Sequence, residues 1–191
     1  MMASPSKPEQ WLTPLSVSRV LDVGYPVAYS NQEAMDRGTA IHQWSSEWEA
    51  GHPFNLPEEW FAYGEQYKRA ANLGWDWQGV EERFDCPDLG FHGFVDRRGR
   101  LRSKATVLEL KTARTVTGSS SPRTPIQLAA YTTALVHLGR LPGKPEDIQR
   151  VELRLAPDDY RIIVWDSPHD FAVWEDLLAD AWRRRRPDAG R

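Results

Sequence analysis

The order of the predicted elements favours an α/β fold, a three-layer sandwich in which helices flank both faces of a central mixed β-sheet. Three helical segments come first, three strand-like segments follow, and a helix, a strand hairpin and a last helix complete the chain. Alternating apolar residues identify the strands, and apolar residues three or four positions apart identify the helices. With 191 residues, the chain suits a single domain over residues 1–191, in which we expect the polar, proline-containing residues 1–14 to form a flexible tail.

The three helical segments at the start differ in length and in how they begin. The first, residues 15–22, has Ser16 or Ser18 as its N-cap, since hydroxyl side chains satisfy the free amides of a helix start. The second and longest begins with Ser30 as its N-cap. The third covers residues 57–73 and stops before a glycine, a common helix terminator.

The remaining segments alternate between the strand period and the helix period. Turn residues separate the first two strands, which predicts an antiparallel pair, and the last two strands form a second hairpin. A long polar loop follows the third strand, where connections of this length are often functional. The predicted strands are 79–87, 90–98, 106–113, 150–156 and 160–166, and the predicted helices among them are 125–139 and 167–186.

Composition excludes several classes of protein. The formal net charge of −3 argues against a uniformly basic surface, so binding a nucleic acid requires a local basic patch or metal ions that offset phosphate charge. The single cysteine, Cys86, cannot build an internal disulfide framework or a cluster held by several thiolates. The sequence shows no apolar run that could cross a bilayer and no signal-peptide pattern at the N-terminus, which favours a cytoplasmic protein without a membrane partner.

The third strand carries two charged residues between its leucines. Because side chains alternate between the faces of a strand, Glu109 and Lys111 share one face, while Leu108 and Leu110 share the other. Taken alone, the segment 106–113 is also compatible with a surface strand that carries a simple ion pair.

A second carboxylate lies on the preceding strand. The tight turn between the two strands brings Asp96 and Glu109 to the same end of the sheet, where two carboxylates repel each other unless a proton or a metal intervenes. Mg²⁺ binds a few carboxylate oxygens together with water and phosphate oxygens, and the carbonyl of Leu110 could be a further oxygen ligand. Lys111 would lie beside such a metal, where an ammonium can orient the attacking water or neutralise a phosphate oxygen.

Four short motifs follow one another in a characteristic order. They are RGTAIH (37–42), GFVD (93–96), ELK (109–111) and QLAAY (127–131). In this order the chain resembles the PD-(D/E)XK nuclease superfamily, and in particular its RecB-like branch, whose motifs are G-x-x-x-H, G-x-x-D, E-x-K and Q-x-x-x-Y. The resemblance implies a restriction-endonuclease-like fold and a Mg²⁺- or Mn²⁺-dependent deoxyribonuclease that acts on DNA, as an exonuclease in recombination, repair or phage DNA metabolism.

The resemblance also assigns roles to individual residues. It places Asp96, Glu109, the Leu110 carbonyl and His42 around the metal, with Lys111 as the catalytic ammonium. It places Gln127 and Tyr131 at the edge of the active site, where they hold the Lys111 region or the DNA backbone. Two structural alternatives remain open. His42 could be a core histidine bonded to a carbonyl, and Gln127 and Tyr131 could be ordinary residues at the border of an amphipathic helix.

Two helix and strand positions are less defined. Gly38 lies four residues before His42 on one helix face, and its role would be to let the sheet approach closely. Family members often carry a glutamate on the strand before Asp96, and either Glu81 or Glu82 can fill that place. Alternation lets only one of them face the site, and Glu81 is the better match; the alternative is a solvated glutamate without a role in the site.

The chain also departs from some relatives. Certain RecB-like nucleases bind an iron–sulfur cluster through four cysteines, so no cluster is expected here. The absence of helicase motifs implies that unwinding or loading would come from a recombination or helicase partner protein, and a homo-oligomer is also compatible with the pattern. The alternative function is a nucleic-acid-binding or assembly subunit that keeps the nuclease fold without catalysis.

Overall fold

The computed structural model describes residues 13–27, 31–52 and 54–185, in which a six-stranded mixed sheet lies between two layers of helices. The predicted three-layer α/β sandwich is confirmed. No helix within these ranges is both long enough and apolar enough to cross a membrane. The strands are β1 (Leu15–Ser16), β2 (Trp75–Cys86), β3 (Phe91–Leu101), β4 (Lys104–Thr112), β5 (Gln149–Leu155) and β6 (Tyr160–Trp165), and the helices are α1 (Val17–Gly24), α2 (Gln32–Glu49), α3 (Phe61–Ala71), α4 (Arg123–His137) and α5 (His169–Arg185).

Strand β3 is the branch point of the sheet. On one edge it pairs antiparallel with β2 along its whole length. On the other edge, Phe91–His92 pair in parallel with β1, and Arg97–Leu101 pair antiparallel with β4. The sheet continues from β4 through a parallel pairing with β5 and ends at the antiparallel edge strand β6.

Each face of the sheet packs against its own layer of helices. We call α1, α4 and α5 the first layer, whose core includes Val107 of β4 and Trp174 of α5. We call α2 and α3 the second layer, whose core includes Leu108 and Leu110 of β4 and Tyr67 of α3. Strand β4 is therefore buried on both faces, which explains its nearly continuous apolar sequence.

The start of the chain differs from the prediction in two details. Leu15 and Ser16 form a short strand beside β3, and α1 begins after them with Ser16 as its N-cap, whose hydroxyl accepts from the Arg19 amide. Alternation could not reveal a strand of two residues. The predicted cap Ser30 lies outside the described residues, and the Asn31 side chain caps α2 instead.

Several further boundaries were wrong, including the end of the second strand, which extends to Leu101 instead of residue 98. The predicted helix 57–73 begins with a turn of 3₁₀ helix at Glu58–Trp60, and α3 follows from Phe61. Strand β2 begins at Trp75, four residues before the predicted start, because it continues to pair with β3 as far as Leu101. The ring of Trp75 also packs edge-on against Tyr67, 5.7 Å away, so tertiary contacts rather than local alternation extend this strand.

Candidate active site

The candidate site lies where β3 and β4 separate. Their backbone pairing runs from Leu101 and Lys104 to Arg97 and Leu108, and beyond this point β4 pairs only with β5. In the gap, the Leu110 amide donates to Asp96 Oδ2 at 2.7 Å. A carboxylate thus replaces the missing strand partner, which fixes a buried acid at the fork.

The E-x-K motif lies beside this carboxylate on β4. Glu109 Oε1 accepts from Lys111 Nζ at 2.6 Å and from Gln127 Nε2 at 2.8 Å. Gln127 Nε2 also donates to the Tyr131 hydroxyl at 2.6 Å, so α4 brings both of its predicted residues to Glu109. The Lys111 side chain is 40% exposed, whereas that of Glu109 is 5% exposed. A buried acid and an accessible ammonium are therefore joined at one point.

Helix α2 supplies His42 to the same point. Its Nδ1 lies 3.1 Å from Glu81 Oε1 and 3.5 Å from Asp96 Oδ1, and its Nε2 lies 3.1 Å from the Leu110 carbonyl oxygen. The alternative of a histidine bonded to a carbonyl describes one of these contacts. The carbonyl in question belongs to the E-x-K segment, however, and the ring also faces two carboxylates.

The two neighbouring glutamates of β2 point to different partners. Glu81 contacts His42, whereas Glu82 pairs with Arg98 at 2.7 Å and with Arg140 at 2.8 Å. Glu81 has φ +47°, in the left-handed region that costs a non-glycine residue about 1–2 kcal/mol. Such strain is concentrated at functional sites, and here it occurs in the glutamate that faces the histidine.

Sequence reasoning missed Arg97, which organises the second-layer side of the site. This side chain is fully buried, and its guanidinium donates to Glu81 Oε1 at 3.1 Å and to the Asp96 carbonyl at 2.7 Å. An arginine within a buried strand segment was the only available signal, because its partners are distant in sequence. Its other partners are Ser45, Glu49 and Tyr67.

The ionisable groups of the site perturb one another. Burial and the nearby Glu109 raise the pKa of Asp96 to about 7, against the lowering effect of His42. Burial lowers the pKa of His42, but Asp96, Glu81 and Glu109 together raise it to about 9. Burial likewise lowers the pKa of Lys111, and Glu109 and Asp96 more than compensate, so the pKa is raised. The site thus concentrates negative charge that protons or cations must balance.

The residues present fit a divalent cation. One ligand atom each from His42, Glu81 and Asp96 lies within 4.8 Å of the others. Glu109 Oε2 is buried and has no hydrogen-bond partner among the described residues, which is costly for an ionised oxygen unless a cation binds it. Carboxylate and carbonyl oxygens with one imidazole are a suitable ligand set for Mg²⁺ or Mn²⁺.

A cleft of about 850 Å³ gives access to these groups. His42, Glu81 and Lys111 line it, together with Gly38 one turn earlier on α2. The expectation that Gly38 allows close packing of the sheet is not supported, because a Cβ there would meet only Thr112 Oγ1, at an ordinary 3.9 Å. What a glycine provides at this position is open space in the cleft wall.

Comparison with known proteins gives one family match and several matches to solved structures. A family model of the PD-(D/E)XK nuclease superfamily matches residues 28–188, a range that contains all four motifs. A candidate exonuclease from Eubacterium rectale has a similar fold, with a TM-score of 0.59 and 12% identity over 96% of this chain and 85% of that one. An alkaline exonuclease from Laribacter hongkongensis matches with a TM-score of 0.45 and 15% identity over 91% of this chain and 88% of that one. Among curated proteins, none matches the sequence significantly.

Proposed function

The chain belongs to the PD-(D/E)XK nuclease superfamily, and from this premise we propose that it is a Mg²⁺- or Mn²⁺-dependent deoxyribonuclease. The observation that carries the proposal is the convergence of His42, Glu81 and Asp96, whose ligand atoms lie within 4.8 Å of one another beside the Glu109–Lys111 pair. A structural ion pair between Glu109 and Lys111 has no need of two further carboxylates and an imidazole beside it, whereas a metal centre does.

The proposed cation would be held by Asp96, Glu109, the Leu110 carbonyl and His42, with Glu81 as a further ligand beside His42. When bound, it would polarise a phosphate oxygen and favour deprotonation of the attacking water. To serve as a ligand, His42 would have to lose a ring proton and Asp96 would have to be ionised. The strand fork holds Asp96 in place for this role through its bond to the Leu110 amide.

Lys111 would act on the substrate directly. Its Nζ is tethered by Glu109 at 2.6 Å, and its partly exposed side chain lines the cleft. A tethered ammonium can donate to a phosphate oxygen, where negative charge grows in the transition state, or can orient the water. Gln127 and Tyr131 would position it indirectly, because they fix the same Glu109 oxygen through one hydrogen-bond chain.

We further propose that the enzyme is an exonuclease, in keeping with its RecB-like motifs. The cytoplasmic location, the pathway, a recombination or helicase partner and a homo-oligomer remain predictions. A binding or assembly subunit without catalysis is the competing function, and it would require only that DNA fits the cleft.

One experiment separates these functions. End-labelled linear DNA, the same DNA with blocked ends, and circular DNA are incubated with Mg²⁺, with Mn²⁺ and with a chelator. We expect metal-dependent degradation of the free-ended DNA alone, and none by Asp96→Ala. Cleavage of circular DNA would show an endonuclease instead of the proposed exonuclease. Binding of DNA without degradation of any substrate would contradict the proposed enzymatic function.

A further inference from the structure

Phe94 is an exposed aromatic side chain on the strand that carries Asp96. It is 52% exposed. A single exposed apolar side chain is ordinary on a protein surface and by itself means nothing. Other large hydrophobic residues with comparable exposure lie elsewhere in the described structure, on helices, on a loop or on the edge strand β6, namely Val27, Met35, Trp48, Phe61 and Val164.

The orientation of Phe94 follows from its neighbours on β3. Val95 is fully buried in the first-layer core, and a Cβ on Gly93 would lie 2.8 Å from the Phe84 ring in that core. Alternation therefore directs Phe94 to the opposite face, which is also the face from which Asp96 meets His42. Two residues along a strand separate Phe94 from Asp96, roughly 6–7 Å.

A fixed cation accompanies the ring. Arg83 lies opposite Phe94 in the β2–β3 pairing, with its guanidinium carbon 5.9 Å from the ring centroid. Asp85 holds this guanidinium with two hydrogen bonds, of 2.9 and 3.0 Å. The Arg83 side chain is still 58% exposed, so donors of its guanidinium remain accessible to a ligand. An aromatic face beside an exposed cation is the combination that binds single-stranded nucleic acid, with the base on the ring and the phosphate on the cation.

We propose that Phe94 and Arg83 form a stacking platform for one unpaired base of single-stranded DNA, close to the phosphate that is cleaved. The proposal rests on the proposed nuclease function and adds the substrate class to it. A base inside a duplex cannot stack on a side chain, so the platform selects single strands or frayed ends. The short distance along β3 would place the stacked base within about one nucleotide of the metal-binding carboxylates.

Fluorescence tests the platform without catalysis. Single-stranded oligonucleotides with 2-aminopurine at one position, counted from either end, are bound to the protein in the absence of divalent metal. We expect quenching at one position with the wild-type protein, loss of that quenching with Phe94→Ala, and its return with Phe94→Trp. Phe61→Ala is the matched control, because Phe61 is 53% exposed and lies on α3.

Affinities complete the test. Phe94→Ala should bind single-stranded DNA about fivefold to a hundredfold more weakly, the worth of one base stacked on an aromatic ring. An abasic substitution at the quenched position should abolish this difference between wild type and variant. Arg83→Gln should weaken binding to all sequences equally and lower the slope against salt by about one.

The two proposals fail separately. If Phe94→Ala behaves like Phe61→Ala in both quenching and affinity, the platform is overturned. Absence of metal-dependent degradation by the wild-type protein would instead overturn the nuclease proposal, while the metal-free fluorescence would still decide the platform.

Discussion

The chain contains two nearly identical tripeptides on neighbouring parallel strands, Glu109-Leu110-Lys111 on β4 and Glu152-Leu153-Arg154 on β5. They lie in the same register, with glutamate beside glutamate and cation beside cation. In each, one glutamate oxygen pairs with the cation two residues later, and the other oxygen is buried without a partner among the described residues. By local sequence and by strand geometry the two are equivalent.

Their surroundings are not equivalent. Beside Glu109 stand Asp96, supplied by the β3 fork, and Gln127 of α4, and the Lys111 side chain is 40% exposed. The Arg154 side chain is only 6% exposed, and its guanidinium is occupied by the Gly118 carbonyl and the Ser120 hydroxyl of the polar loop. The comparison teaches that E-x-K becomes a candidate catalytic motif through its neighbours, and that the same pattern one strand away holds a loop in place.

The largest expected effect concerns stability. Arg154→Ala should lower the free energy of unfolding by about 3–5 kcal/mol, because it leaves the buried Glu152 without its cation. Lys111→Ala should lower it by less, because its ammonium is 40% exposed and Glu109 keeps the hydrogen bond from Gln127. Urea titration of both variants measures the difference. Equal losses of stability in the two variants would mean that the two ion pairs are alike. As a control, the double variant Glu152→Leu with Arg154→Met, which removes both charges, should recover most of the stability that Arg154→Ala loses.

The next effect concerns turnover and reverses the order of the two cations. Lys111→Ala should reduce the rate of DNA cleavage about a hundredfold to a thousandfold, the usual cost of one well-placed electrostatic donor, or roughly 3–4 kcal/mol. Its metal affinity should be nearly unchanged or raised, because a neighbouring positive charge is lost. Arg154→Lys, which keeps a cation on Glu152, should cleave within about threefold of wild type in single-turnover assays. If Lys111→Ala also cleaves DNA within about threefold of the wild-type rate, Lys111 has no catalytic role and Glu109 and Lys111 form only a structural ion pair.

A smaller effect should separate the two glutamates. Glu109→Gln should weaken binding of Mn²⁺ about tenfold to a hundredfold, a typical cost of disturbing a metal site. Glu152→Gln should change it less than about twofold, because Asp96 lies at the fork beside Leu110 of β4, whereas the cation of Glu152 is occupied by the loop residues Gly118 and Ser120. Calorimetry on the folded variants gives both constants. An equal loss of Mn²⁺ affinity in Glu152→Gln would mean that Glu152 also belongs to the metal site, so that the two glutamates do not differ in function.

A further effect, at most about tenfold per pH unit between pH 7 and 9, is a pH dependence restricted to the Glu109 side. Asp96, with a pKa of about 7, holds its proton below about pH 7, and His42, with a pKa of about 9, holds a ring proton up to about pH 9. A cation that binds both groups must displace these protons. Metal affinity should therefore rise with pH up to about 9, by up to about tenfold per pH unit between 7 and 9, where His42 loses its proton, and more steeply below 7. It should level off above 9. Calorimetry in two buffers of different ionisation enthalpy counts the protons. An affinity that is flat across this window would contradict the proposed ligands.

Much of this protein could be predicted from local patterns. Alternation in β4 and helical spacing in α2 and α4 report the state of a short segment, and these signals indicated the three-layer sandwich. The four motifs indicated the superfamily, which the family match confirms. Even Asp96 and Glu109 could be expected near each other, because a tight turn joins their strands and leaves few alternatives. What the sequence by itself determined is thus the kind of each element and the order of the chemical groups along it.

Only the tertiary structure decided which groups meet. Sequence could not choose between Glu81 and Glu82, because the choice depends on a left-handed residue and on His42, 39 positions away. Nor could it find Arg97, whose partners come from α2, α3 and β2, or distinguish E-L-K from E-L-R. These outcomes depend on long-range pairing, above all on where β3 leaves β4, and the free energy of such contacts is not written in the residues next to them. A local pattern states what a side chain can do, and the fold decides what it faces.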